Sequence, residues 1–179
     1  DRMGHEPEFI DGQRVTDASA LEVVQMVLGG LLNKEIVRLV QHLGGKAVGL
    51  TGKDGGLALA TKRQGPPDMG FVGDITRIDV ELIDSLLGEF VPVIAPLAVD
   101  ENGQTLNINA DPFAAAVAKA LRAEKLVLLS DVKGVKDKSG ALIPTLTAKE
   151  CNALLDDGTI SGGMIPKVQN ALGAVEAGV

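Results

Sequence analysis

Leu106-Asn-Ile-Asn-Ala-Asp-Pro-Phe-Ala-Ala-Ala-Val-Ala-Lys-Ala-Leu121, continued by Arg-Ala-Glu-Lys-Leu126-Val-Leu-Leu129, places an extended run, a helix and a fully apolar run in succession. Residues 110–121 put Phe113, Val117 and Leu121 on one helical face, and residues 126–129 read as a buried strand. Upstream, Asp100-Glu-Asn-Gly103 is a hairpin signal, and Val91–Ala95 is a buried β-type run. Residues 79–87 read as a helix capped at Asp79, residues 71–78 as a strand, and residues 47–50 and 57–61 as strands around a turn-rich 51–56. Leu21, Val24 and Leu28 recur at helical spacing after Thr16-Asp17, either of which could cap that helix. Gly29-Gly30 is expected to interrupt it, before Ile36, Val37, Leu39, Val40 and Leu43 resume the face as far as Gly44-Gly45. Downstream, Lys138-Ser-Gly140 is a second turn, and residues 147–155 form a helix with Thr147 and Glu150 at capping-box spacing. Residues 164–177 form a last helix striped by Ile165, Val168, Leu172 and Val175. Strands alternating with helices argue an α/β class: a three-layer α/β/α sandwich with a mainly parallel central sheet. A lobe boundary is expected at residues 122–124, dividing residues 1–122 from residues 123–179.

Composition excludes several functions. The 179 residues carry 17 Lys+Arg against 24 Asp+Glu, a net charge of −7 that suits neither a nucleic-acid partner nor an anionic membrane. Four Phe with no Trp or Tyr leave few platforms for stacking bases. Cys151 alone excludes an internal disulfide and a multi-cysteine zinc site, and His5 and His42 leave little for a His triad or metal cluster. No apolar run reaches the roughly 18 to 20 residues of a membrane-spanning helix. There is no secretory leader, Asp1 is not an initiator Met, and Ala177-Gly178-Val179 follows a helix directly. Both ends therefore read as cut, so that an internal piece of a longer protein is expected.

Twenty-two glycines invite a nucleotide reading, yet no two stand two residues apart, which removes G-x-G-x-x-G and the protein-kinase glycine loop. Gly52-Lys53 is followed by Asp54 and lacks the remaining P-loop spacing, and Asp131-Val-Lys-Gly134 is a short string that recurs by chance. Thr159-Ile-Ser-Gly-Gly-Met-Ile-Pro-Lys167 says more. Gly162-Gly163 opens the backbone to a ligand, and Pro166 suits the first turn of the helix, whose start favours anions. The helix dipole opposes a cation there by about 0.3–1 kcal/mol, so Lys167 calls for either a bound phosphate or a solvated surface position.

Asn107, Asn109 and Asp111 stand at i, i+2 and i+4, on one face of an extended strand at its C-terminal end, where open α/β sheets bind ligands. Alternatively Asp111 is an N-cap before Pro112 and the asparagines are turn residues. Arg14, in the hairpin-like Asp11-Gly-Gln-Arg-Val-Thr-Asp17, could clamp a carboxylate bidentately or be an ordinary surface residue. Residues 119–138 hold six Lys/Arg against three Asp/Glu, a local sign that suits a polyphosphate.

Arg14-Val-Thr-Asp17, Leu32-Asn-Lys-Glu35, Ala47-Val-Gly-Leu-Thr-Gly-Lys-Asp-Gly-Gly56, Gly70-Phe-Val-Gly-Asp74, Leu106-Asn-Ile-Asn-Ala-Asp111, Leu128-Leu-Ser-Asp-Val-Lys-Gly-Val135 and Gly162-Gly-Met-Ile-Pro-Lys167 together resemble the N-acetyl-L-glutamate kinase family, end to end and in order. The resemblance implies the amino-acid kinase (carbamate kinase-like) fold, with an N-lobe for the acyl amino acid and a C-lobe for ATP. It implies phosphorylation of the γ-carboxylate of N-acetyl-L-glutamate, the second step of arginine biosynthesis. By motif, Arg14 and Asn107 would bind that substrate with Asn109 alongside, Asp111 would orient the catalytic lysines, and Lys167 would stabilise the transferring phosphoryl. Asp131, Val132, Lys133, Gly134, Val135, Lys136, Thr159, Ile160 and Ser161 would line the ATP pocket, with Gly163 and Met164 close by. Mg²⁺ would ride on the ATP phosphates, with no metal ligand from the protein.

The family's opening strand, with its first catalytic Lys and phosphate-cradling glycine pairs, and its closing strands lie outside the sequence, so the 179 residues alone are expected to be inactive. The resemblance further implies a homodimer or higher homo-oligomer, for which Leu21, Val24, Val27 and Leu28 offer either a contact face or ordinary core. Arginine feedback inhibition and a PII-type signalling partner occur in some members. The implied location is the cytoplasm, or the plastid stroma in a photosynthetic eukaryote. The competing readings are a kinase for carrier-linked aminoadipate or glutamate, and a non-catalytic ligand-sensing module of the same fold.

Overall fold

The computed structural model describes residues 9–10 and 13–179; His5 and the Asp11-Gly12 turn lie outside the described residues. Two units emerge, Asp1–Phe113 and Ala114–Val179.

In the first unit, β1 (Phe9–Ile10) pairs antiparallel with β2 (Gln13–Arg14). Helix α1 (Ala18–Val24) starts where the Asp17 carboxylate accepts the Ala20 N–H at 2.7 Å. Gly29-Gly30 does not interrupt it. The chain passes through both in a π-helical stretch, Gln25–Leu32, and continues as α2 (Asn33–His42). Glycine weakens a helix by only about 1 kcal/mol, and burial of Leu21, Val24 and Asn33 on either side holds the chain in place. Gly29 also lets the helix lie close to the sheet, since a Cβ there would come within 3.2 Å of Thr51 Cγ2. Gly44 and Gly45 then close α2 by donating to the carbonyls of Gln41 and Val40, with Gly44 at φ +86°.

Strand β3 (Ala47–Thr51) runs parallel to β6 (Val91–Ala95), in register from Ala47↔Val91 to Thr51↔Ala95. β4 (Ala58–Lys62), β5 (Val72–Ile78), β7 (Leu97–Val99) and β8 (Thr105–Ile108) close a four-stranded ring in the order β4-β5-β8-β7. The β4/β5 and β7/β8 pairings are antiparallel, while β5/β8 and β4/β7 are parallel. Parallel and antiparallel pairings thus mix, and the long parallel ladder is β3/β6. The strands of this ring bury Ala58, Ala60, Ala98, Leu97, Leu106 and Ile108, with Ala98 and Leu106 on one face and Leu97 on the other, toward Gly29. Gly73 is part of that fit, because a Cβ would stand 2.8 Å from Leu106. Helix α3 (Glu81–Leu86) follows β5, with the Asp79 carboxylate on the Glu81 N–H, and buries Ile83.

Helix α4 (Ala110–Leu121) leads into the second unit, which contains α5 (Ala148–Asp156) and α6 (Met164–Glu176). The α5 capping box is complete: Thr147 Oγ1 accepts the Glu150 N–H, and the Glu150 carboxylate accepts the Thr147 N–H. Residues 126–129, expected as a strand, are not one. No ladder partner stands beside them among the described residues, and Val127 and Leu129 are 69% and 88% exposed. The α6 stripe is corrected as well: Val168 and Ala174 are buried, whereas Val175 faces outward. Helix α4 ends without a glycine. Arg122 takes the left-handed conformation at φ +49°, while the Arg122 and Ala123 N–H groups donate to Lys119 and Ala118.

Candidate functional site

The first unit joins the Arg14 and Asn107 segments through Thr16, a residue the sequence offers only as a possible cap. Thr16 is fully buried. Its N–H donates to the Met69 carbonyl at 3.0 Å, and its carbonyl accepts the Phe71 N–H at 2.6 Å. The chain between those partners turns at Gly70 (φ +68°), where a Cβ would overlap the Thr16 carbonyl oxygen. The Thr16 hydroxyl donates to the Arg14 carbonyl and accepts from Asn107 Nδ2, both at 3.1 Å. The Asn107 N–H in turn donates to the Phe71 carbonyl at 2.8 Å. Three distant segments, around residues 14, 70 and 107, are thereby fastened to one threonine. Asp17 caps α1 instead, which frees Thr16 for this role.

The expected alternation through Asn107, Asn109 and Asp111 stops early. β8 ends at Ile108, and Asn109 is the cap of α4, its Oδ1 accepting the Asp111 N–H at 3.1 Å. Asp111 therefore sits in the first helical turn rather than on the strand face. Asn107, Asn109 and Asp111 are each half-buried, so all three remain accessible to a ligand.

In the second unit, residues 131–136 form an irregular loop that ends in a small hairpin. Lys136 bridges Leu142, and the Ile143 N–H donates to the Val135 carbonyl. Gly134 has φ +141° there, against the Leu142 side chain. Asp131, Val132, Lys133 and Lys136 are exposed. The Thr159 hydroxyl and N–H both donate to Asp157 Oδ1, at 2.5 and 2.9 Å, and Lys138 pairs with the other carboxylate oxygen at 2.9 Å. Thr159 first and Lys138 second pull the Asp157 carboxyl down to about 2. Ile160 is buried and its N–H donates to the Leu154 carbonyl, so only its own carbonyl is left for a ligand.

Lys167 lies half-buried in the first turn of α6. The expected set of unpaired N–H groups at this helix start is partly used up. Met164 and Ile165 donate back to the Ser161 and Gly162 carbonyls, and Pro166 has no N–H. What is open is the backbone at Gly162 (φ +56°) and Gly163, where a Cβ would meet nothing within 4 Å. The glycine pair stands uncovered beside the exposed Ser161. For a metal, no group of three His, Cys, Asp or Glu stands together among the described residues. None of the helices among the described residues is long and apolar enough to cross a membrane.

A model of the amino acid kinase family matches residues 1–179, the whole chain. The chain belongs to the amino acid kinase family. This family member is 53% identical to an acetylglutamate kinase of Afipia carboxidovorans over 99% of its own length, and spans 64% of that relative. Among solved structures it resembles smu.665 of Streptococcus mutans, with a TM-score of 0.89 at 33% identity, covering 99% of this chain and 72% of that one. It also resembles an N-acetylglutamate synthase of Neisseria gonorrhoeae solved with coenzyme A and N-acetyl-glutamate, with a TM-score of 0.84 at 27% identity, covering 99% and 41%. The chain thus spans about two thirds of the curated relatives it matches. In this amino acid kinase family member, Thr16 and Gly70 join the Arg14 and Asn107 segments, a role that motif spacing does not assign them. The positive φ at Gly70 shows only in the structure, whereas the Arg-Val-Thr-Asp string that holds Thr16 was visible from the start.

Proposed function

We propose that the protein containing this span is an acetylglutamate kinase, transferring the γ-phosphoryl of ATP to the γ-carboxylate of N-acetyl-L-glutamate in arginine biosynthesis. The observation that carries this reading is the identity of about half with curated acetylglutamate kinases, sustained over both units. Arg14 and Asn107 hold the acyl amino acid, with Asn109 beside them. Asp111 orients the catalytic lysines. Lys167 neutralises charge on the phosphoryl in flight. Asp131, Val132, Lys133, Gly134, Val135, Lys136, Thr159, Ile160, Ser161, Gly163 and Met164 hold ATP, with Ile160 contributing its carbonyl only. ATP supplies the phosphoryl, and Mg²⁺ is carried on its phosphates rather than on a protein carboxylate cluster. Phosphoryl transfer needs positioning and positive charge more than covalent chemistry, which is what this residue set offers.

The finer architecture of the whole protein is, on this reading, a three-layer α/β/α sandwich with N- and C-lobes divided near residues 122–124. It works in the cytoplasm as a homodimer or higher oligomer, in which arginine inhibition and a PII-type partner are open to test. The test of function is ADP release by the complete protein with N-acetyl-L-glutamate and ATP. Lys167→Ala should lower kcat by about 10²–10³-fold or more, as removal of one electrostatic stabiliser does. Unchanged turnover in that variant would instead favour a ligand-sensing module. Faster turnover of a carrier-linked aminoadipate or glutamate than of N-acetyl-L-glutamate would favour the lysine-type kinase.

A further inference from the structure

We propose that Thr16 is a positioning residue that sets which way round the Asn107 amide faces; this rests on reading Asn107 as a substrate ligand. The Thr16 hydroxyl has one proton, and it points at the Arg14 carbonyl oxygen, a pure acceptor, at 3.1 Å. Toward Asn107 the same oxygen can therefore only accept. The group it meets at 3.1 Å has to be Nδ2, because an Oδ1 turned that way would face a second acceptor. Asn107 consequently turns its carbonyl oxygen away from Thr16 and keeps one N–H for another partner, a fixed donor–acceptor pattern for a ligand to read. The threonine itself cannot swing. It is fully buried, its N–H and carbonyl are held by Met69 and Phe71, and Gly70 wraps against it too closely for any side chain. The same hydroxyl ties down the backbone of Arg14, so one oxygen aligns both members of the carboxylate-and-amide pair.

The experiment uses the complete protein with ¹⁵N-labelled asparagine, the Asn107 side-chain amide being assigned by its loss in Asn107→Asp. One of its two amide protons should exchange with solvent at least about tenfold more slowly than the other, the effect of one buried hydrogen bond. Thr16→Val should abolish that difference and Thr16→Ser should keep it. In kinetics, Thr16→Val should raise KM for N-acetyl-L-glutamate about tenfold while KM for ATP stays within about twofold, with Thr16→Ser restoring the wild-type value. Free exchange of both Asn107 protons in the unmodified protein would overturn the proposal even if no variant folds. So would Thr16→Val and Thr16→Ser that behave alike. Absence of turnover with N-acetyl-L-glutamate would sink the functional reading instead, and the amide measurement would still decide what Thr16 does.

Discussion

The β4-β5-β8-β7 ring within residues 1–113 and the apolar positions 127, 129 and 175 of the second unit treat their aliphatic side chains in opposite ways. In the first unit the strands of the β4-β5-β8-β7 ring bury Leu97 and Leu106 almost completely, on opposite faces, and strands distant in sequence satisfy one another. In the second, Val127, Leu129 and Val175 are exposed, and order comes from helix caps, a tight hairpin and the Ile160 anchor. The difference extends to backbone conformation. Both units put glycines at left-handed positions, Gly70 against Thr16 among them, and the second also puts Arg122 there, which carries its side chain at a conformational cost. Cooperative closure of strands demands particular residues at particular places, whereas a unit built from local signals tolerates a poor choice.

Three measurements press on that contrast, each on the 179-residue chain by chemical denaturation or titration. Leu106→Ala should cost about 2–5 kcal/mol, while Leu129→Ala should stay within about 0.5 kcal/mol. A large loss from Leu129→Ala would erase the contrast, by showing that residue to be covered. Next, Gly70→Ala should destabilise by about 2–4 kcal/mol, from left-handed strain and overlap with a backbone oxygen. Arg122→Gly should do the reverse and gain about 0.5–1 kcal/mol, part of the relieved strain being offset by unfolded-chain entropy. Equal losses at both positions would mean that the second unit is as tightly specified as the first.

The smallest effect concerns Asp157, whose carboxyl lies near 2 against an ordinary 3.8. A depressed carboxyl adds stability that is present above the ordinary value and fades as pH falls from about 4 to about 2. Thr159→Val should bring that carboxyl back up further than Lys138→Ala does, since the threonine is the larger cause. If the lysine variant shifts it more, the local anchoring of Thr159 has been overrated.

Much of the fold was legible in residue order. Helices α4, α5 and α6, the strand Val91–Ala95, the turn at Asp100–Gly103 and the Thr147–Glu150 capping box all fall where spacing and cap chemistry put them. These features are decided within a few residues, because caps and turns satisfy backbone groups close by. The motif strings that carry the family were likewise read from the sequence alone.

Only the tertiary structure decided the rest. It ended the strand face at Ile108, so that Asn109 became a helix cap. It carried a helix through Gly29-Gly30 and left residues 126–129 without a ladder. It also made Thr16, which the sequence marked as one of two possible caps, the point where three segments meet. An apolar run becomes a strand only beside a partner, and a hydroxyl becomes a junction only when burial leaves it no water. Both conditions depend on residues tens of positions away, which local sequence patterns do not encode.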